Sequence, residues 1–147
     1  MNTSIKIKKL SDNAIIPKYG TEFSAGADLY ALCDEPISIA PGESKLIHTG
    51  IAMAIPSGLV GLIFARSGLA TREGLAPANK VGVIDSDYRG EIMVCLYNQS
   101  GETRVVESGD RIAQISFMPY FSASFDMCDD LDSTDRGVGG FGSTGVK

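Results

Sequence analysis

Short apolar runs separated by glycine-bearing polar turns recur along most of the chain. Ser4-Ile5-Lys6-Ile7-Lys8 alternates strictly, the period-two pattern of a strand with one wet face. Ser44 to Ile55, Gly58 to Ala65, Gly90 to Asn98 and Arg111 to Tyr120 are rich in Ile, Val, Leu and Phe and also predict strands. Between them fall turn clusters such as Pro41-Gly42-Glu43, Pro56-Ser57-Gly58, Asp87-Tyr88-Arg89-Gly90 and Glu107-Ser108-Gly109-Asp110. Many short strands at that spacing predict an all-β sandwich or barrel. Only Ser67 to Glu73 reads as helix, about two turns, with Ser67 as N-cap and Gly74 closing it.

At 147 residues the chain has the size of one domain and can bury a core without staples. No apolar run approaches the ~18 residues of a membrane helix, and Met1 to Lys6 does not resemble a signal peptide. The expectation is a cytoplasmic protein that does not engage a membrane. Cys33, Cys95 and Cys128 are odd in number and far apart, so they read as free, mostly buried thiols rather than a zinc clip. A net charge of −5 opposes binding to nucleic acid, while a few well-placed arginines can still hold a small anion.

The character changes at Leu131. Residues 131–147 contain five glycines, four Ser or Thr and few apolar side chains, so they cannot bury themselves. The expected organisation is a β domain over 1–130 and a mobile arm over 131–147. Extended, that arm reaches about 50 Å, enough to cross onto another subunit. Gly137 to Gly142 formally fits a dinucleotide-binding pattern, but no strand–helix unit frames it. What remains is a plain disordered tail or a backbone able to wrap a ligand. In the second case Phe141 stacks on a base, Ser143 and Thr144 donate to phosphate, and Arg136 neutralises charge.

Four other segments carry candidate chemistry. Arg66-Ser67-Gly68 is either a capped helix start beside a surface arginine or a phosphate site. Val81 to Gly90 runs a buried-looking strand into a polar turn. There Asp85 and Asp87 either bond the turn backbone, or one is a general base with Tyr88 lining a pocket. In Ala25-Gly26-Ala27-Asp28-Leu29, Asp28 can serve a hydrated metal. In Gly109 to Gln114, Gln114 can bond a phosphate oxygen, and Asp110 with Arg111 reads as a structural charge pair. His48 reads as an ordinary strand residue.

In series, Ala25-Gly-Ala-Asp-Leu29, Arg66-Ser-Gly-Leu-Ala70, Gly82-Val-Ile-Asp-Ser-Asp-Tyr-Arg-Gly90, Gly109-Asp-Arg-Ile-Ala-Gln114 and Arg136-Gly-Val-Gly-Gly-Phe-Gly-Ser-Thr-Gly145 resemble the five motifs of the trimeric deoxyuridine triphosphatase (dUTPase) family. The resemblance covers most of the chain. Ala65 stands where Gly or Pro is common in the family, and Val138 where a polar residue is frequent. Neither is expected to touch substrate.

The resemblance implies a jelly-roll-like (β-clip) barrel with one short helix and a flexible C-terminal arm. It also implies a homotrimer with composite sites: one subunit gives the first, second and fourth motifs, a neighbour the third, and the remaining subunit its arm. The implied reaction converts dUTP and water to dUMP and pyrophosphate with Mg²⁺, limiting uracil incorporation into DNA and supplying dUMP for dTTP synthesis. Asp85 is then the base that activates water. Arg66, Ser67, Gly68 and Gln114 hold phosphates, and Asp28 serves the metal through water. Asn79, Val83, Ile84 and Met93 read or line the uracil, and Tyr88 packs under the sugar. Arg136, Phe141, Gly142, Ser143 and Thr144 close the site. Two alternatives share this frame: an enzyme like dCTP deaminase, and a trimer that uses dUTP as a signal to change partners.

Overall fold

The computed structural model describes residues 3–140. Its strands are β1 (Lys6–Lys9), β2 (Lys18–Tyr19), β3 (Ala27–Tyr30), β4 (Ile37–Ile39), β5 (Ser44–Ala54), β6 (Leu59–Phe64), β7 (Leu75–Pro77), β8 (Gly82–Ile84), β9 (Glu91–Asn98), β10 (Arg104–Val106) and β11 (Arg111–Pro119). They form a four-stranded sheet ordered β1-β5-β9-β7, a five-stranded sheet ordered β2-β3-β11-β6-β8, and a β10-β4 pair. The chain is thus all-β, as the spacing of apolar runs predicts, and jelly-roll-like, as the family resemblance implies.

The sheets form because alternate residues need cover from water. On β9, Ile92, Val94 and Leu96 turn inward while Glu91, Met93, Cys95 and Tyr97 lie on the other face. Leu29, Ile47, Ile51, Ile112 and Ile115 complete a core from both sheets. Asn98 is fully buried yet satisfied: its amide donates to Ile39 and Glu102 carbonyls at 2.9 and 2.7 Å, and its oxygen accepts from the Ser100 amide and hydroxyl.

Three local expectations need correction. The helix is a π-helical turn, Leu69–Glu73, and Ser67 does not cap it. Ser67 and Gly68 are already wound helically, so the Ser67 hydroxyl is past the non-helical position from which a cap acts. The Arg66 carbonyl accepts the Ala70 amide at 2.9 Å instead, while Gly74 closes the turn at φ +70° as expected. The strand before the polar turn is not buried: β8 is a sheet edge, and Val83 on it is exposed. Of the free thiols, Cys33 and Cys95 are half-buried but Cys128 is exposed, because it lies beyond the last strand.

Among the described residues no helix is long and apolar enough to cross a membrane. Among the described residues no further strand follows Pro119, and residues 121–140 lie almost wholly at the surface.

Candidate active site

The fourth motif lies on the strand that organises the site. β11 runs between β3 and β6, and at one level Gln114 faces Asp28 on β3 and Phe64 on β6. The register therefore brings the first and fourth motifs together, and Arg66 follows two residues after β6 ends. A bulge between Arg111 and Ala113 breaks the alternation of β11. Ile112 and Ala113 are consequently both buried, and Arg111 joins Gln114 and Ser116 at one cavity. Asp28, Arg66, Ser67 and Gly68 line the same space, about 470 Å³.

Its charges are cross-linked. The Asp28 carboxylate accepts from Arg66 Nε at 2.8 Å through one oxygen and from Arg111 Nη1 at 3.3 Å through the other. Arg66 Nη1 also reaches the Arg111 carbonyl at 3.3 Å. A guanidinium has five N–H groups, so Arg66 keeps donors for a ligand. Gln114 Nε2 donates to the Ala65 carbonyl at 2.9 Å, and its second amide hydrogen remains for another acceptor. Gly26 makes room for this: a Cβ there would stand 2.6 Å from Gln114 Oε1. Fixed arginine, amide and hydroxyl donors around one small cavity suit an oxyanion. Arg111 is thus a site residue and not the partner of Asp110, whose carboxylate accepts the Glu107 amide at 2.8 Å.

The third motif is built differently and lies outside this cavity. Among the described residues β8 pairs only with β6, so its outer edge presents unpaired main-chain groups around Val83. The turn Asp85–Gly90 is closed by the Tyr88 amide on the Asp85 carbonyl at 3.2 Å. Arg89 Nη1 adds bonds to the Ser86 and Tyr88 carbonyls at 2.7 and 2.9 Å. The Asp85 and Asp87 carboxylates take no part, and neither has a hydrogen-bond partner among the described residues. Tyr88 folds back over Gly90, and its hydroxyl donates to the Glu91 carbonyl at 3.0 Å. Asn79 lies in the turn before β8, where its carbonyl accepts the Val81 amide at 2.7 Å. Met93 is half-buried on β9, opposite His48.

One chain therefore gathers Asp28, Arg66, Ser67, Gly68 and Gln114, and leaves Asn79, Val83, Ile84, Asp85, Tyr88 and Met93 elsewhere. Arg136 lies in an exposed turn and donates to the Gly139 carbonyl at 2.9 Å. Phe141, Gly142, Ser143 and Thr144 are outside the described residues. Sequence reasoning missed Arg111 because a bulge set its direction, and missed Glu91 because only the β5–β9 register reveals what it touches. A second, larger groove of about 750 Å³ is lined mainly by apolar side chains such as Ile5, Ile7, Ile16 and Phe117, and no arginine or side-chain amide is among its described lining residues.

A dUTPase family model matches residues 12–145. The deoxyuridine 5'-triphosphate nucleotidohydrolase of Desulfitobacterium hafniense is 55% identical over 133 residues, 90% of this chain and 88% of its own. That of Shewanella oneidensis is 44% identical over the full length of both chains. Among solved structures, a G164S mutant dUTPase of Staphylococcus bacteriophage 80alpha with dUpNHpp superposes at a TM-score of 0.85, with 27% identity, over 99% of this chain and all of that one. With a match that takes in every motif from Ala25 to Gly145, the chain belongs to the dUTPase family.

Proposed function

We propose that this chain is a dUTP diphosphatase, acting as a homotrimer that hydrolyses dUTP to dUMP and pyrophosphate in the cytosol. What supports this is the division described above: an oxyanion cavity and an uncommitted carboxylate on a turn, held apart within one chain as a site shared between copies requires. Residues 1–130 act as the β domain and 131–147 as the arm that closes a neighbour's site. The exposed Phe121, Phe125, Met127 and Leu131 favour assembly, since apolar side chains so placed gain by covering another copy.

In this reading the cavity holds the triphosphate. Arg66, Ser67, the Gly68 backbone and Gln114 bind its oxygens, and Asp28 keeps both arginines in place. A water oxygen attacks the α-phosphorus and its proton passes to the Asp85 carboxylate. The bond from the α-phosphorus to the α,β-bridging oxygen breaks, and its electron pair leaves with pyrophosphate. A carboxylate is a weak base, so the fixed positive groups supply most of the transition-state stabilisation.

The family implies Mg²⁺, and the donor set fits an ion that arrives with substrate. Among the described residues Asp28 is the one carboxylate lining the cavity, and no three His, Cys, Asp or Glu side chains form a cage. Mg²⁺ keeps its waters and favours phosphate oxygens, so Asp28 would hold it through water while the ion neutralises phosphate charge.

Uracil is read along the free edge of β8 by Val83 and Ile84 with Asn79, and Met93 lines the base pocket. Tyr88 packs against C2′ of the sugar and excludes a ribose hydroxyl. Arg136, Phe141, Gly142, Ser143 and Thr144 close the site from the remaining subunit. Pyrophosphate release from dUTP, dCTP, dTTP and UTP, with Mg²⁺ and with EDTA, tests the whole reading. Metal-dependent release from dUTP alone is expected. Ammonia from dCTP would replace this reading with a deaminase, and dUTP binding without turnover would replace it with a signalling trimer. Deleting residues 136–147 should abolish most activity and leave the trimer intact by sedimentation.

A further inference from the structure

Opposite Met93 the β5–β9 ladder loses its register. His48 pairs with Met93 and Ala52 with Glu91, so Thr49, Gly50 and Ile51 all face Ile92. Such a bulge frees main-chain amides that must be satisfied. Glu91 satisfies two of them: its Oε1 accepts from Gly50 at 2.8 Å and from Thr49 at 3.2 Å. Its Oε2 meets His48 Nδ1 at 2.8 Å. Burial raises the Glu91 pKa, but the bonds from His48, Gly50 and Thr49 outweigh it and hold the carboxyl below its ordinary value.

The bulge is itself a fixed platform. The Leu10 amide donates to the Gly50 carbonyl at 2.7 Å and the Leu32 amide to the His48 carbonyl at 2.8 Å. Gly50 has φ +67°, and a Cβ there would stand 2.5 Å from Leu32 Cδ2 and 2.8 Å from Ala14 Cβ. The Thr49 hydroxyl bonds the Ile92 carbonyl. On its main-chain side, Glu91 accepts the Tyr88 hydroxyl at 3.0 Å. Among the described residues no other side-chain hydrogen bond links the Asp85–Gly90 turn to the sheets.

We propose that Glu91 is a positioning residue for the reaction: its carboxylate clamps the bulge at His48–Gly50, its carbonyl holds Tyr88, and the turn bearing Asp85 is thereby fixed to the sheet. His48 supports the clamp from the second carboxylate oxygen. Glu91 also shares a face of β9 with Met93, so a shift of the clamp moves the wall of the base pocket together with the turn.

This rests on the diphosphatase reading, so wild-type turnover of dUTP is measured first; its absence sinks that reading and not the clamp. With an active wild type, Glu91→Ala should lower kcat about tenfold or more and cut the preference for dUTP over UTP by a similar factor. Sedimentation should still show the trimer. Glu91→Gln keeps an oxygen for both amides and should restore most of kcat and of the preference. Should Glu91→Ala not assemble, Glu91→Asp, one methylene shorter, must show the same paired loss. Wild-type kcat and preference in Glu91→Ala, or in that Asp variant, would overturn the proposal. So would a Glu91→Gln protein as impaired as Glu91→Ala.

Discussion

The phosphate cavity and the Asp85–Gly90 turn hold their charges in opposite ways. In the cavity Asp28 grips two arginines, and Gln114 is tied to the Ala65 carbonyl with Gly26 beneath it. In the turn the carboxylates of Asp85 and Asp87 have no partner among the described residues, and closure falls to the backbone and Arg89. Donors that stabilise developing charge gain from being fixed before substrate arrives. A base gains from keeping its lone pairs uncommitted, since any standing partner would compete with water. The cavity, which both binds the phosphates and stabilises their developing charge, should therefore answer to mutation through KM as well as kcat, and the turn through kcat alone.

The hardest blow to that contrast falls on Asp85. Asp85→Asn keeps the shape of the turn and removes the base, so kcat for dUTP should fall by roughly 10²–10⁴ with KM nearly unchanged. Steady-state pyrophosphate release measures both. A large rise in KM with kcat preserved would assign Asp85 to binding and erase the difference between the regions.

Gly26→Ala comes next, and acts on the cavity alone. The new Cβ would meet Gln114 Oε1 at 2.6 Å and its Cβ at 3.2 Å, so the whole side chain must shift. Displacement on that scale costs about a hundredfold in kcat/KM, and overpacking costs about 1–3 kcal/mol in stability. Asp28→Asn is milder: it sets an amide against one arginine and should raise KM about tenfold with kcat less affected. If both substitutions left KM unchanged, the cavity would not be the phosphate cradle.

The sequence disclosed the long strands and hid the short ones for one reason. β5, β6, β9 and β11 have six or more residues, enough for alternation to show, whereas β2, β4, β7 and β10 have two or three. Asp28, Arg66, Ser67, Gly68 and Gln114 were legible as cavity residues because their motifs carry donors beside glycines. Arg111 was not, since strict alternation places it and Gln114 on opposite faces until the bulge intervenes. The segment Val81 to Ile84 that contains β8 looked buried because three apolar residues in four suggest a central strand, and only the sheet order makes it an edge. Glu91 carried no signal at all: the partners of its carboxylate are more than forty residues away, at a bulge that composition does not announce.

The smallest expected effect concerns stability, and it separates the support of the turn from its chemistry. The Glu91 carboxyl lies below its ordinary value in the folded chain, where burial is outweighed by the bonds from His48, Gly50 and Thr49. A carboxylate with a depressed folded pKa binds fewer protons folded than unfolded, so its contribution is complete above the ordinary glutamate range. As pH falls through that range toward the folded value, the unfolded chain gains protons first and the contribution drains away. Glu91→Gln has no proton to gain, so the gap in unfolding free energy between the two proteins should narrow as the pH is lowered through that range and stay constant above it. Denaturant unfolding followed from pH 7 to pH 3 measures that gap. A gap that stays constant throughout would mean that the carboxylate is no better held in the folded protein than in the unfolded chain, and that the bulge amides are satisfied without its charge.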